Sequence, residues 1–182
     1  MAKKVLLVNG SPHQNGNTKK ALTIVENAIK SRGVDTFYFE LGKNLIRGCV
    51  GCNACASTHR CVFNDDKCNE LLENMLEADG IIIGSPVYFA GPNGALLSLL
   101  DRVFYALKDA TLLKGKPVAS VACCWREGGT PTLDRLNKYF TYSQMPIISS
   151  SYWNVRLDGD DGFGDRVLTQ LGLNMAEEVN IR

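Results

Sequence analysis

At 182 residues the chain is long enough for one domain with a sizeable buried core. Its 20 basic and 19 acidic residues leave a net charge of +1, which excludes a broad electrostatic attraction to nucleic acid or to an anionic membrane. After Lys3 and Lys4 the apolar run Val5 to Val8 is too short for a signal peptide or a bilayer span, so the expectation is a cytoplasmic protein without a membrane partner. In such a reducing compartment the seven cysteines, several of them clustered, point to a metal or redox site rather than a disulfide framework.

Val5-Leu6-Leu7-Val8 has no polar alternation and predicts a parallel strand over Lys4–Asn9, covered on both faces. The turn cluster Asn9-Gly10-Ser11-Pro12 ends it, and Ala21, Ile24/Val25 and Ala28/Ile29 then recur at helical spacing from about Asn17 to Ser31, before Gly33. A strand, a polar loop and a helix start in that order form an anion site, because unpaired N–H groups and the positive end of the helix dipole face the loop. The hydroxyls of Ser11 and Thr18 and the amides of Asn15 and Asn17 complete a phosphate cradle without a Lys or Arg. The loop carries neither G-x-x-x-x-G-K-[ST] nor G-x-G-x-x-G, and on its own it also reads as an ordinary, well-capped turn.

Further strands are expected at Val34–Glu40, Gly80–Ser85, Pro117–Cys123 and Ile147–Trp153. The helices between them start near Asp65–Asp66, run from Gly94 to Leu107, open at Thr130-Pro131, and run from Gly164 to Val179. Five strands alternating with five helices predict a single α/β domain over 1-182. The expected sheet is doubly wound, five-stranded and parallel, of order 2-1-3-4-5 with helices on both faces. Its crevice lies between the first and third strands. The loop after the third strand, from Ser85 through Pro86, Val87, Tyr88 and Phe89 to Gly91, offers aromatic rings and open backbone beside it; both aromatics also suit packing. The Gly-rich stretch Trp125, Arg126, Glu127, Gly128, Gly129 reaches the same sheet edge, and the three loops together suit a flat mononucleotide.

Between the second strand and second helix, at about 42-64, lies a Cys-rich insertion with little periodicity. Its cysteines Cys49, Cys52, Cys55 and Cys61 have the compact spacing that lets thiolates converge on an inorganic cluster; zinc and free or oxidised thiols are the alternatives. His59 inside the run is a surplus ligand. Cys68 reads as a core residue, and of Cys123 and Cys124 one is expected to face the core and the other the crevice. Asp158-Gly159-Asp160-Asp161-Gly162 departs from a calcium loop and reads as a solvated turn. His13 suits either a charge-assisted bond to the phosphate or a solvent-facing position.

VLLVNGSPHQNGNTKKAL, CVGCNACASTHRCVFNDD and ADGIIIGSPVYFAGPNGALLSLLDR together resemble the NAD(P)H-dependent FMN reductase and iron–sulfur flavoprotein group of flavodoxin-like proteins, over nearly the whole chain. The resemblance implies an FMN phosphate held by Ser11, His13, Asn17 and Thr18, with Pro86 to Gly91 beside the ribityl chain and isoalloxazine. It also implies that the Trp125 to Thr130 loop reaches the ring edge. Cys49, Cys52, Cys55 and Cys61 would hold a [4Fe–4S] cluster. NAD(P)H or ferredoxin would be the electron donor, a small molecule the acceptor, and the assembly a homodimer or homotetramer. No acid-base residue is required, since the flavin carries the chemistry. Many members have Gly where this chain has Cys123-Cys124-Trp125, and Gln or Glu in place of Thr130. The competing expectation is a flavodoxin-like electron carrier without a substrate of its own.

Overall fold

The computed structural model describes residues 2–108, 112–159 and 162–182. In chain order it runs β1 (Lys4–Asn9), α1 (Asn17–Lys30), β2 (Asp35–Glu40), a 3₁₀ turn (Ala54–Ala56), α2 (Cys68–Glu77), β3 (Gly80–Tyr88), β4 (Gly91–Pro92), α3 (Gly94–Ala106), β5 (Val118–Cys124), α4 (Gly129–Tyr142), β6 (Val155–Leu157) and α5 (Phe163–Asn180). The parallel strands follow β2-β1-β3-β5-β6, which over these five alone is the expected 2-1-3-4-5 order. β4 is an antiparallel addition to the end of β3.

The inner strands β1, β3 and β5 are buried on both faces, as strands sandwiched by crossover helices must be, while the edge strands β2 and β6 are only partly covered. Val5, Leu7, Ile82, Ala119 and Val121 point towards α1 and α5, while Leu6, Val8, Ile81, Ile83 and Val118 point towards α2, α3 and α4. Register follows from this alternation: Leu7 pairs with Ile82 and Ile82 with Ala119, so one layer of small and branched side chains crosses the sheet. A one-residue slip would exchange the two faces.

Three differences from the sequence expectation have local causes. The fifth strand is not Ile147–Trp153: Ile147 makes a single bridge to Val118, and true pairing resumes only at Val155 opposite Ala122. In between, Ser150 Oγ lies 2.8 Å from Tyr152 O and 2.7 Å from Asn154 Oδ1, and Asn154 Nδ2 donates to Ser120 O at 3.1 Å. Side-chain bonds of this kind offer the backbone an alternative to the ladder, and the chain bows outward. β3 runs past Ser85 to Tyr88 and turns back through Phe89 and Ala90, whose φ values of 50° and 59° give both central turn residues the positive sign of a type I′ hairpin. α2 starts at Cys68 rather than at Asp65–Asp66, and Asp66 instead accepts the Cys68 N–H at 3.1 Å from outside the helix. Asp160 and Asp161 of the expected solvated turn lie outside the described residues. Among the described residues no helix is long and apolar enough to cross a membrane.

Candidate functional site

The loop after β1 is held from below. Buried Asn9 accepts the Ser11 N–H on Oδ1 at 3.2 Å and donates from Nδ2 to Glu40 at 2.7 Å; Glu40 is in turn paired with Lys19 at 2.8 Å. Gly10 N donates to Gly84 O at 2.8 Å, and Ser11 Oγ accepts the His13 N–H at 3.0 Å. The chain then enters α1 through Gly16, which supplies no capping side chain, and the first turn of α1 carries no acidic residue. The first-turn N–H groups therefore keep their capacity for an anion, with the dipole's positive end behind them.

On the other side of the crevice, buried Asn93 caps α3 by accepting the Ala95 N–H at 3.0 Å and donates to Gly10 O at 2.8 Å, tying the third loop to the first. Ser85 is fully buried: its Oγ accepts the Asn93 N–H at 3.0 Å and lies 2.8 Å from Pro86 O, so it supports the hairpin from beneath. Gly128, at φ 88°, lets the loop after β5 lie against this hairpin; a Cβ there would come within 2.7 Å of Ala90 Cα. Gly129 packs similarly against Val155, where a Cβ would come within 2.7 Å of Cγ1.

The result is a cleft of about 210 Å³ at the carboxyl edge of β1, β3 and β5. Of the candidates from sequence it collects Ser11, His13, Asn17, Thr18, Pro86, Val87, Tyr88 and Trp125. Asn15 lines a neighbouring depression of about 660 Å³ with Gln14, Gly42 and Lys43. Arg126, Gly128 and Gly129 line an adjoining groove of about 720 Å³ with Tyr152, Trp153 and Phe163, and Cys124 forms a wall of both. Phe89 stands fully exposed at the hairpin tip, and Gly91 pairs with Tyr88 in the hairpin ladder.

Gly16 and Asp158 line the cleft without having been candidates, and Cys123 and Cys124 both do so, although alternation would send one of them away. Both thiols are buried. Burial pushes Cys123 up to about 12 and raises Cys124 as well, so both are neutral thiols at pH 7 and neither is a thiolate nucleophile.

The cysteine loop builds a second site. Cys49, Cys52, Cys55 and Cys61 line one pocket with Val50, Asn53, Val62, Phe63, Arg102 and Tyr105. Asn53 takes a left-handed φ of 58° and accepts the Tyr105 hydroxyl at 2.6 Å, which anchors the turn on α3. His59 faces Ala106 O through Nδ1 at 3.3 Å. Among the described residues, no three Cys, His, Asp or Glu side chains gather on one point as a single metal ion would require. The four thiols share one pocket, as the donors of a four-iron cluster, one thiolate to each iron, would have to.

Arg102 is a residue that the sequence reading passed over. It lies three residues after Leu99, on the apolar stripe of α3, and reaches into the cysteine pocket. It pairs with Asp66, and both side chains are almost fully buried. Burial raises the Asp66 carboxyl, but the Arg102 guanidinium and the N–H groups of Cys68 and Arg47 outweigh it and hold it below its ordinary value. Cys68 lies nearby in the core, where burial pushes its thiol up to about 12. A lone arginine at a core-facing helical position was the available signal.

The model of a family described as NADPH-dependent FMN reductase matches residues 3–160. An iron–sulfur flavoprotein of Methanocaldococcus jannaschii is 32% identical over 98% of this chain and 98% of its own length. One from Archaeoglobus fulgidus is 35% identical over 97% of this chain and 91% of its own. Among solved structures, RosB with a bound 8-demethyl-8-formylriboflavin-5'-phosphate superposes with a TM-score of 0.75 at 16% identity, over 99% of this chain and 80% of that one. An NADH:FMN oxidoreductase in its apo form reaches 0.67 at 19% identity, over 99% and 90%. At these identities the two structures speak to the fold alone.

Proposed function

The chain belongs to the NADPH-dependent FMN reductase family and is an FMN-dependent oxidoreductase; from that premise we propose which residues hold the flavin and what feeds it. The first-turn amides of α1, with Ser11, His13, Asn17 and Thr18, take the FMN phosphate, while Pro86, Val87 and Tyr88 flank the remainder of the cofactor and Trp125 closes it. The observation carrying this assignment is the uncapped, acid-free N-terminus of α1 opening into the cleft shared by three loops. Bound FMN supplies the conversion between two-electron and one-electron transfer. The protein's own residues bind and orient it, exclude water, and leave no ionised thiol beside it.

The donor is a reduced nicotinamide or a ferredoxin-like carrier and the acceptor a small molecule. The groove beside Cys124, floored by Val155 and Leu157 and rimmed by Trp153 and Phe163, offers an apolar surface to a flat donor or acceptor ring. The exposed rings of Phe89, Trp125, Tyr152 and Trp153 suit coverage by a second copy, and a homodimer or homotetramer is the proposed assembly. Cys49, Cys52, Cys55 and Cys61 hold a [4Fe–4S] cluster, supported by their common pocket and by the naming of the relatives as iron–sulfur flavoproteins.

The test is anaerobic purification followed by absorbance, FMN titration, iron and sulfide analysis, and NAD(P)H oxidation with quinones or free FMN as acceptors. Saturable FMN binding with turnover is expected. Bound flavin without turnover with either nicotinamide would remove NAD(P)H as the donor, and a flavin that binds equally well after the cleft is altered would remove the residue assignment.

A further inference from the structure

Arg102 makes more contacts with the cysteine loop than its place in a hydrophobic helix stripe requires. Its Nε and Nη2 donate to Cys61 Sγ at 3.3 and 3.2 Å. Nη2 also donates to Phe63 O at 3.2 Å, and Nη1 donates to Arg47 O at 3.2 Å and pairs with Asp66. The guanidinium is a planar fork of five donors, so satisfying all these acceptors at once leaves it little freedom to leave the sulfur. Asp66 is itself held by the N–H groups of Cys68 at 3.1 Å and Arg47 at 3.3 Å. One buried cation thus ties residues 47, 61, 63 and 66 around a single sulfur.

We propose that Arg102 is a positioning residue for Cys61 and that, given the cluster reading above on which this rests, it makes the group held by the four cysteines easier to reduce. An added electron increases negative charge on the ligating sulfurs. A fixed, nearly dry cation with two N–H donors on one of them stabilises that form more than the oxidised one. The step is a one-electron reduction; no bond of Arg102 or Cys61 is made or broken.

The experiment compares parent, Arg102→Met and Arg102→Lys in the full chain, reconstituted anaerobically with iron and sulfide. The cluster is titrated potentiometrically with dithionite and read by electron paramagnetic resonance, and the FMN couple of the same sample serves as reference. In Arg102→Met the ratio of reduced to oxidised cluster at the parental midpoint falls about tenfold, equivalent to about 59 mV for one electron. Arg102→Lys recovers part of the loss, and the FMN couple stays in place. An unchanged ratio in Arg102→Met with iron retained overturns the proposal and leaves the cluster reading intact. Loss of iron from both variants with FMN retained makes Arg102 a mechanical support of the loop and overturns it too. A parent protein that takes up neither iron nor sulfide overturns the cluster reading itself, and the proposal with it.

Discussion

Asn17 occupies the first position of α1 and lines the cleft, so its side chain and N–H belong to the proposed phosphate end of the site. Asn17→Leu replaces a hydrogen-bonding amide with a branched apolar group and should weaken FMN binding roughly tenfold or more, about 1.4 kcal/mol or above. Fluorescence titration of the apoprotein with FMN measures it, and unchanged affinity would remove Asn17 from the site. The buried thiols make a different prediction. Burial holds the native Cys68 and Cys123 up to about 12 against an ordinary value of 9.0. The unfolded chain releases these protons near 9 while the native chain keeps them, so stability falls as pH rises from about 9 towards 12, by up to about 1.4 kcal/mol per pH unit for each thiol. Urea unfolding of the apoprotein across that range should show the decline, with Cys68→Ala, Cys123→Ala flattening it. The place of Arg102 on the apolar stripe of α3 marked it as core-facing, but nothing local names what it pairs with; its sulfur partner is 41 residues away.

The β3–β4 hairpin concentrates strain at the scale of an element. Phe89 and Ala90 both take positive φ, where side chains other than those of Gly, Asn or Asp cost about 1 kcal/mol each. Ala90→Gly relieves one of these and should raise stability by about 0.5–1 kcal/mol, visible as a small increase in Tm by calorimetry; a decrease would show that the turn is not strained there. The opposite change across the same contact, Gly128→Ala, introduces a Cβ 2.7 Å from Ala90 Cα at φ 88°. It should cost about 1–3 kcal/mol and open the wall between the two loops, read as a lower Tm and faster FMN release. The sequence run from Ser85 to Gly94 announced a loop through its Gly and Pro content, but the hairpin depends on how that loop lies over Gly128. The edge segment Ile147 to Leu157 shows the same limit. Its residues suit a strand, yet the Asn154 side chain takes the Ser150 hydroxyl and the Ser120 carbonyl, and the backbone rejoins β5 only where Asn154 O accepts the Ala122 N–H at 2.9 Å.

Across the whole molecule the cleft and the cysteine pocket stand on different elements: the loops after β1, β3 and β5 build one, while the β2–α2 connection and α3 build the other. They should therefore be separable. Cys55→Ser should abolish stoichiometric iron and leave FMN binding within about twofold of the parent, while Asn17→Leu should do the reverse. Iron and flavin assays on the same two samples decide it, and parallel loss of both in either variant would show one site where two are proposed.

Much of this arrangement was legible in the chain itself. Short apolar runs, helical spacing and turn residues are local consequences of backbone geometry, so they determined the alternation of strands and helices, the polar loop from Ser11 to Thr18 between β1 and α1, and the compact grouping of Cys49, Cys52, Cys55 and Cys61, while the order of the strands followed only from what five βα units most often adopt. Tertiary structure alone decided that Ser85 lies beneath the cleft while Cys123 and Cys124 both line it, that Gly128 meets the strained hairpin, and that a buried Arg102 grips Cys61. These depend on how far apart in sequence two segments are when packing brings them to one point, and periodicity within a segment carries no record of that meeting.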